Sequence, residues 1–367
     1  MSATIIFDID DTICTTKNRE YKKAIPKKDV IKKINHLHDD MGFCIKLHTS
    51  RGMVSCEGNL NKVINKNKDV LEKWLKENDV HYDELIFGKP IADIYVDDRG
   101  MSLDTFMNES FEELKGGSKD KIIRLGNIVK KTMNSVDKVC SVKMWFDKAN
   151  SLGCKVPKII SSLYDSLFME YVEKDDIKEI RYDEHILKLI CVINNFKYIK
   201  VNKPFDINVH LRVLVTNLGY DSEIDKRIAR CFYRLHELKE QLKDKSTFCH
   251  GDMTLSNVMF KDGEPFFIDP NMDESASSYI LDYAKLRMSL MGYEEKFNLP
   301  TKICIKHGTL EKFDKYLKSE GIYEHVMLFN YMYVLRLTKY KKKEEYGIVL
   351  NMAKSMEDDN GELLQRR

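Results

Sequence analysis

The chain opens on a short apolar run, Ile5, Ile6 and Phe7, that stops at the polar cluster Asp8, Ile9, Asp10, Asp11 and Thr12. The pattern returns three times. Phe43 to Leu47 gives way to His48, Thr49, Ser50 and Arg51; Glu84 to Phe87 ends at Gly88, Lys89 and Pro90; Ile94 to Val96 ends at Asp97 and Asp98. Apolar runs of this length with polar boundaries read as strands. Between the first two, Val30, Ile31, Ile34, Leu37 and Met41 recur at helical spacing and Gly42 supplies a stop. Between the second and third, Val63, Val70, Leu71, Trp74 and Leu75 do the same. Strands alternating with helices predict an α/β domain over residues 1–109, with a parallel sheet, helices on both faces and a ligand at the carboxyl ends of the strands.

Residues 101–110 show little periodicity and read as a linker. Beyond them, Ile122 to Leu125 and Ile128 to Lys131 flank Gly126 and Asn127, a strand, tight turn and strand. Val139, Val142, Trp145, Phe146 and Ala149 predict a helix over 137–152. Val156 to Ile160 and Leu167 to Val172 read as two further strands, and 177–242 as mostly helical. Val258 to Phe260 and Phe266 to Ile268 pair around a Lys-Asp-Gly turn, and Leu310 to Met356 again carries apolar residues at helical spacing. Residues 110–367 therefore form a second domain.

Composition narrows the picture. A chain of 367 residues that is 43% hydrophobic and 32% charged is globular and long enough for two domains. Its 60 basic and 58 acidic residues leave a net charge of +2, which gives no electrostatic case for nucleic acid as a partner. The nine cysteines include no CxxC pair, which argues against a zinc ribbon or a disulfide framework and fits a reducing cytoplasm. There is no signal-peptide pattern and no long apolar run, so membrane insertion is not expected.

The stretch from Thr247 to Pro270 carries the most specific chemistry. Asp252 follows His250 and Gly251, Asn257 lies five residues on, and Asp269 ends the second strand of the hairpin. Transfer of a phosphoryl group from ATP needs an acid at the acceptor hydroxyl, an amide on a metal and a second acid holding metal against the phosphates. Asp252, Asn257 and Asp269 offer these in order. Gly116, Gly117 and Ser118 form a short loop whose amides can approach phosphates. Lys130 and Lys131 point to opposite faces of their strand, so only one can meet the nucleotide; Lys130 is the preferred choice. The acid that should pair with it is not placed, since Asp137 and Asp147 are the only acids of the following helix.

The first domain suggests a second phosphate chemistry. Asp8 can attack phosphorus to form an aspartyl-phosphate. Asp10, two residues on, can protonate the leaving alcohol and then activate water. Thr49 and Lys89 are placed to bind phosphoryl oxygens. Asp8, Asp10, Asp97 and Asp98 make an oxygen-only set that favours magnesium.

Residues 1–105 resemble the haloacid dehalogenase-like phosphatases, through Asp8-Ile9-Asp10-Asp11-Thr12, Thr49, Lys89 and Asp97-Asp98. Thr49-Ser50-Arg51-Gly52-Met53 with Phe87-Gly88-Lys89-Pro90 is similar to their capsule-biosynthesis type, although Ser50 stands where Ala is common and Asp11 where Gly is common. The short spans between motifs leave no room for a folded cap. Residues 111–367 resemble the aminoglycoside phosphotransferase and choline kinase-like family, through His250-Gly251-Asp252, Asn257 and Ile268-Asp269-Pro270. That resemblance implies a bilobal α+β protein-kinase-like fold, Asp252 as base, Asn257 and Asp269 as magnesium ligands, and Asp282 as a brace for the catalytic loop. The helix acid is missing and the glycine loop is minimal. Together the two resemblances imply a bifunctional enzyme acting on a small-molecule phosphate ester and on a small-molecule alcohol, a sugar or amino alcohol, with surface polysaccharide assembly as the suggested setting. The alternative is one active domain with the other sensing a nucleotide or phosphosugar.

Overall fold

Three of the early apolar runs pair side by side. The computed structural model describes residues 4–10, 12–16, 21–40, 44–89, 111–114, 120–163, 165–201, 205–242, 245–271, 277–299 and 303–365. The chain divides into two units, Met1–Asn108 and Glu109–Arg367.

In the first unit, β1 (Thr4–Asp8), β2 (Cys44–Thr49) and β3 (Glu84–Phe87) form a parallel sheet in that order. Asp8 lies opposite His48, and Thr49 opposite Phe87, so the polar strand ends share one edge. Helices α1 (Lys28–Asp39) and α2 (Leu60–Glu77) bury Ile31, Ile34, Leu71, Trp74 and Leu75 with Ile45 and Leu47 of the sheet. Trp74 Nε1 donates to the Ala24 carbonyl at 2.9 Å. A small antiparallel pair, Cys14–Thr15 with Ile25–Pro26, lies between β1 and α1. The expected fourth strand, Ile94 to Val96, lies outside the described residues, as do Asp97 and Asp98.

The second unit begins with a five-stranded antiparallel sheet, β4 (Phe111–Leu114), β5 (Lys121–Leu125), β6 (Ile128–Thr132), β7 (Ile159–Leu163) and β8 (Ser166–Glu170), in the order β4-β5-β6-β8-β7. The strand expected from Val156 starts at Ile159, because Pro157 has no N–H to give a ladder. Helix α3 (Val136–Ser151) packs on this sheet and is capped by Ser135, which accepts from the Lys138 N–H at 3.2 Å.

The rest is helical: α4 (Leu187–Lys197), α5 (Ile207–Val215), α6 (Ser222–Glu237), α7 (Tyr279–Leu290), α8 (Thr309–Ser319), α9 (Tyr323–Arg336) and α10 (Tyr346–Asp359). One hairpin interrupts it, β9 (Val258–Lys261) and β10 (Glu264–Phe267), turning at Asp262 and Gly263, both with positive φ as a two-residue hairpin turn prefers. Helices α7 and α9 are buried on most of their surface and pack on each other at the centre of the unit. Each large apolar side chain buried there contributes about 1.5–3 kcal/mol. Arg287 of α7 ties them further, with Nε and Nη2 on Asp314 at 2.8 and 2.7 Å and Nη1 on Asn330 at 2.8 Å. These two rigid helices support the loop described next. Among the described residues no helix is long and apolar enough to cross a membrane.

Candidate active site

The loop before β9 turns at Gly251, whose φ of +79° favours glycine. Asp282 of α7 holds it from below: Oδ2 accepts the His250 N–H at 2.8 Å and Oδ1 the Gly251 N–H at 2.7 Å. Burial pushes the Asp282 carboxyl up to about 7, against the pull of those two donors. Asp282 thus braces the loop in the way the resemblance implied.

His250 is buried. Its Nε2 lies 2.9 Å from the Ile268 carbonyl, and its Nδ1 receives the Asp252 N–H at 3.3 Å. A carbonyl only accepts and a backbone N–H only donates, so these partners assign the neutral Nε2–H tautomer. Burial lowers the imidazole pKa and favours the same form. With both nitrogens engaged, His250 spaces the loop from the hairpin and is not the base. Trp145 of α3 adds a tether, donating to the Cys249 carbonyl at 2.8 Å with its ring edge-on to His250.

Asp252 is half-buried at the mouth of the loop. Asn257 Nδ2 donates to its carboxylate at 3.0 Å and to its carbonyl at 2.9 Å. Those two bonds use the amide hydrogens of Asn257 and leave its oxygen as the atom available to a cation. Lys285 of α7 brings Nζ to 2.9 Å from Asp252 Oδ1. Burial works to raise the Asp252 pKa, but the Lys285 charge and hydrogen bond outweigh it and hold the carboxyl below its ordinary value. The acid is therefore ionised, as a proton acceptor must be.

Asp269 follows β10 with φ +56°, an uncommon conformation for a residue with a Cβ. It is bound directly by Lys131, which corrects the choice between the two strand lysines. In the β6 register Lys130 stands opposite Phe168 of β8 and takes the other face, with its ammonium over that ring. Lys131 is the buried one and lines the cavity with Asp252 and Asp269. Its second acid comes from ahead of β5 and not from α3: Asp120 Oδ2 lies 3.3 Å from Lys131 Nζ and 3.0 Å from Lys138 Nζ. Burial works against the Asp120 charge, yet Lys138 and Lys131 together lower its pKa. Gly116, Gly117 and Ser118 lie outside the described residues.

These side chains open on one cavity of about 550 Å³, a size typical of small-molecule sites. Apart from Lys131 and Glu170 its sheet side is apolar, with Ile122, Val129, Met169 and Val172 joined by Met259 and Ile268. Its helical side carries Lys285, Tyr293, Tyr333, Arg336 and Lys341. Lys285 was missed by motif reading, although it sits three residues after Asp282 and so shares its helix face.

The first unit holds a separate cluster. Lys89 Nζ lies 3.4 Å from Asp8 Oδ1, and the Lys89 N–H donates to the Thr49 carbonyl at 3.2 Å. Asp8, Thr49 and Lys89 are thus neighbours at the strand ends. Asp10 has partners that its motif does not show. Buried Arg51 clamps it, Nη2 to Oδ1 and Nε to Oδ2 both at 2.9 Å, and Thr16 donates to Oδ1 at 2.7 Å. That fork loads Oδ1 most heavily and leaves Oδ2 with the single Nε donor. Arg51 had a place in the motif but no role, because its partner lies 41 residues away.

No family model and no curated protein matches the chain. Solved structures do. A structural-genomics target from Vibrio cholerae is 33% identical over 26% of this chain and 80% of its own, with a TM-score of 0.25. A choline kinase from Streptococcus pneumoniae is 13% identical over 67% of this chain and 94% of its own, with a TM-score of 0.45. A thermostable mutant of aminoglycoside phosphotransferase APH(4)-Ia, in apo form, is 10% identical over 69% of this chain and 96% of its own, with a TM-score of 0.51. At that identity the likeness to the last of these is one of architecture alone: about two thirds of this chain shares the fold of that aminoglycoside phosphotransferase.

Proposed function

We propose that the Glu109–Arg367 unit transfers the γ-phosphoryl group of ATP to a hydroxyl of a small molecule. The observation that carries this reading is the meeting of Lys131, Asp252, Asn257 and Asp269 in one cavity. The apolar sheet side suits an adenine ring reaching the Met169–Val172 segment, and Lys131 suits the phosphates. Asp252 accepts the acceptor's hydroxyl proton as its oxygen bonds to the γ-phosphorus. The bond from that phosphorus to the bridging oxygen breaks, and ADP leaves. Asn257, through its amide oxygen, and Asp269 would hold magnesium, whose charge offsets that of the phosphates; an oxygen-only pair suits that ion. Incubation with radiolabelled ATP, magnesium and a pooled metabolite fraction should label a small molecule. Absence of labelling, with ATP left intact, would count against the reading.

For the Met1–Asn108 unit we propose magnesium-dependent hydrolysis of a phosphate monoester through an aspartyl-phosphate on Asp8. The favouring observation is Asp8 beside Lys89 and Thr49 at the ends of parallel strands. Asp8, Asp10, Asp97 and Asp98 remain the proposed metal ligands, and Asp10, oriented by Arg51, the proposed acid and base. Phosphate release from a panel of sugar phosphates, abolished by Asp8→Asn, tests this; release that survives the substitution would sink it.

A further inference from the structure

The helical side of the cavity has a charge pattern that the transfer chemistry does not use. Beyond Asp252 itself, the charged lining there is Lys285, Arg336 and Lys341, with no second carboxylate among the described lining residues of that side. All three line the same cavity, two of them around one aromatic ring and the third beside two others. Lys285 lies between Asp252 and the Tyr333 ring, 4.4 Å from the ring centre, and the Arg336 guanidinium lies 5.6 Å from the same ring. Lys341 sits 5.8 Å from the Tyr293 ring and 4.2 Å from Phe297.

Lys285 has a partner in Asp252. Among the described residues Arg336 and Lys341 make no ion pair, and Arg336 Nε is buried without a hydrogen-bond partner. Glu345 acts on Lys341 only through space. A buried guanidinium nitrogen left unbonded is costly unless a ligand supplies the acceptor. Aromatic faces steady the two cations but offer them no hydrogen bond. A planar guanidinium and an ammonium lining one cavity offer the donors that recognise a phosphate or carboxylate.

We propose that the acceptor bound beside Asp252 carries an anionic group, a phosphate monoester or a carboxylate, held by Arg336 and Lys341. This rests on the kinase reading and deepens it by naming the substrate class. An aminated acceptor would set its ammonium groups against three cations, and a neutral one would leave Arg336 unbonded. Lys131 and the Asn257–Asp269 pair already serve the nucleotide phosphates, and Arg336 and Lys341 are assigned to the acceptor. Lys285, in contact with the base, stands where the transferring and acceptor charges meet.

The test holds the sugar skeleton constant and varies its charge. Glucose, glucosamine, glucuronate and glucose 6-phosphate are titrated calorimetrically into the full-length protein loaded with magnesium and ADP, and ADP formation from ATP is measured with each. An anionic member should bind about tenfold or more tighter than glucose, and glucosamine weakest. Arg336→Gln and Lys341→Gln should each erase that preference, Arg336→Lys should restore part of it, and ADP affinity should stay within about twofold, which also reports that the variants are folded. Equal binding of all four, no binding of any, a preference for glucosamine, or loss of ADP affinity with the anion preference intact would overturn the proposal. Anion selectivity lost in both variants but without ADP formation would uphold the site and refute the kinase reading. Preferred phosphorylation of glucose or glucosamine would uphold the kinase reading and refute the site.

Discussion

Lys285 and Asp252 form an ion pair, Nζ 2.9 Å from Oδ1, and Lys285 is anchored on the same helix as Asp282, which holds the Asp252 loop. One helix therefore sets both the position and the charge state of the base. In Lys285→Met, burial acts on Asp252 unopposed by the Lys285 charge and its pKa rises. The acid limb of the kcat/KM profile should move to higher pH, so that the variant loses more activity at pH 6 than at pH 8. A profile that drops uniformly without shifting would show that Lys285 does not tune the base.

Lys131 and Lys130 give a sharper contrast. Lys131→Ala removes the cation between Asp269 and Asp120, and kcat should fall by about 10²–10³. Lys130→Ala alters the other face of β6 and should stay within about threefold of wild type. Equal losses in the two variants would contradict the strand orientation described above.

Asp282 makes stability depend on pH. Its carboxyl stands at about 7 in the folded chain against an ordinary 3.8. The folded state then binds the proton more tightly, so the group's contribution is full below about pH 4 and is lost as pH rises through about 7. The loss amounts to at most about 4 kcal/mol, at 1.36 kcal/mol per unit. Urea unfolding at pH 4.5, 6 and 8 should show this decline in the wild type and a flatter course in Asp282→Asn, which starts less stable because its amide meets an N–H donor of the loop. Parallel curves for the two proteins would rule the assignment out.

How much of this was legible in the sequence follows from distance along the chain. Asp252, Asn257 and Asp269 fall within one hairpin and its approach, so local spacing fixes their mutual placement. Asp8, Thr49 and Lys89 were legible for another reason: parallel strands bring their ends to one edge by topology alone. Lys285, Arg336 and Asp120 were not, since tertiary packing of α7, α9 and the β5 approach creates their contacts. The Lys130 and Lys131 choice failed because Ile128 and Val129 are both apolar, and alternation then gives no sign of which face is inward.

Arg51 allows a prediction for the first unit. Arg51→Met removes one partner of a largely buried ion pair with Asp10, which should destabilise that unit by roughly 3–5 kcal/mol, visible as a lower Tm. The double variant Arg51→Met with Asp10→Asn should recover part of the loss. No recovery would mean that Arg51 acts by packing on Tyr21 and not through Asp10.

The central claim is that Asp252 accepts the proton during transfer from ATP. Its most direct measurement is single-turnover phosphoryl transfer by Asp252→Asn, with ATP, magnesium and the labelled acceptor fraction. The expected result is a rate lower by about 10²–10⁴ with ATP affinity retained. A rate within about threefold of wild type would contradict it.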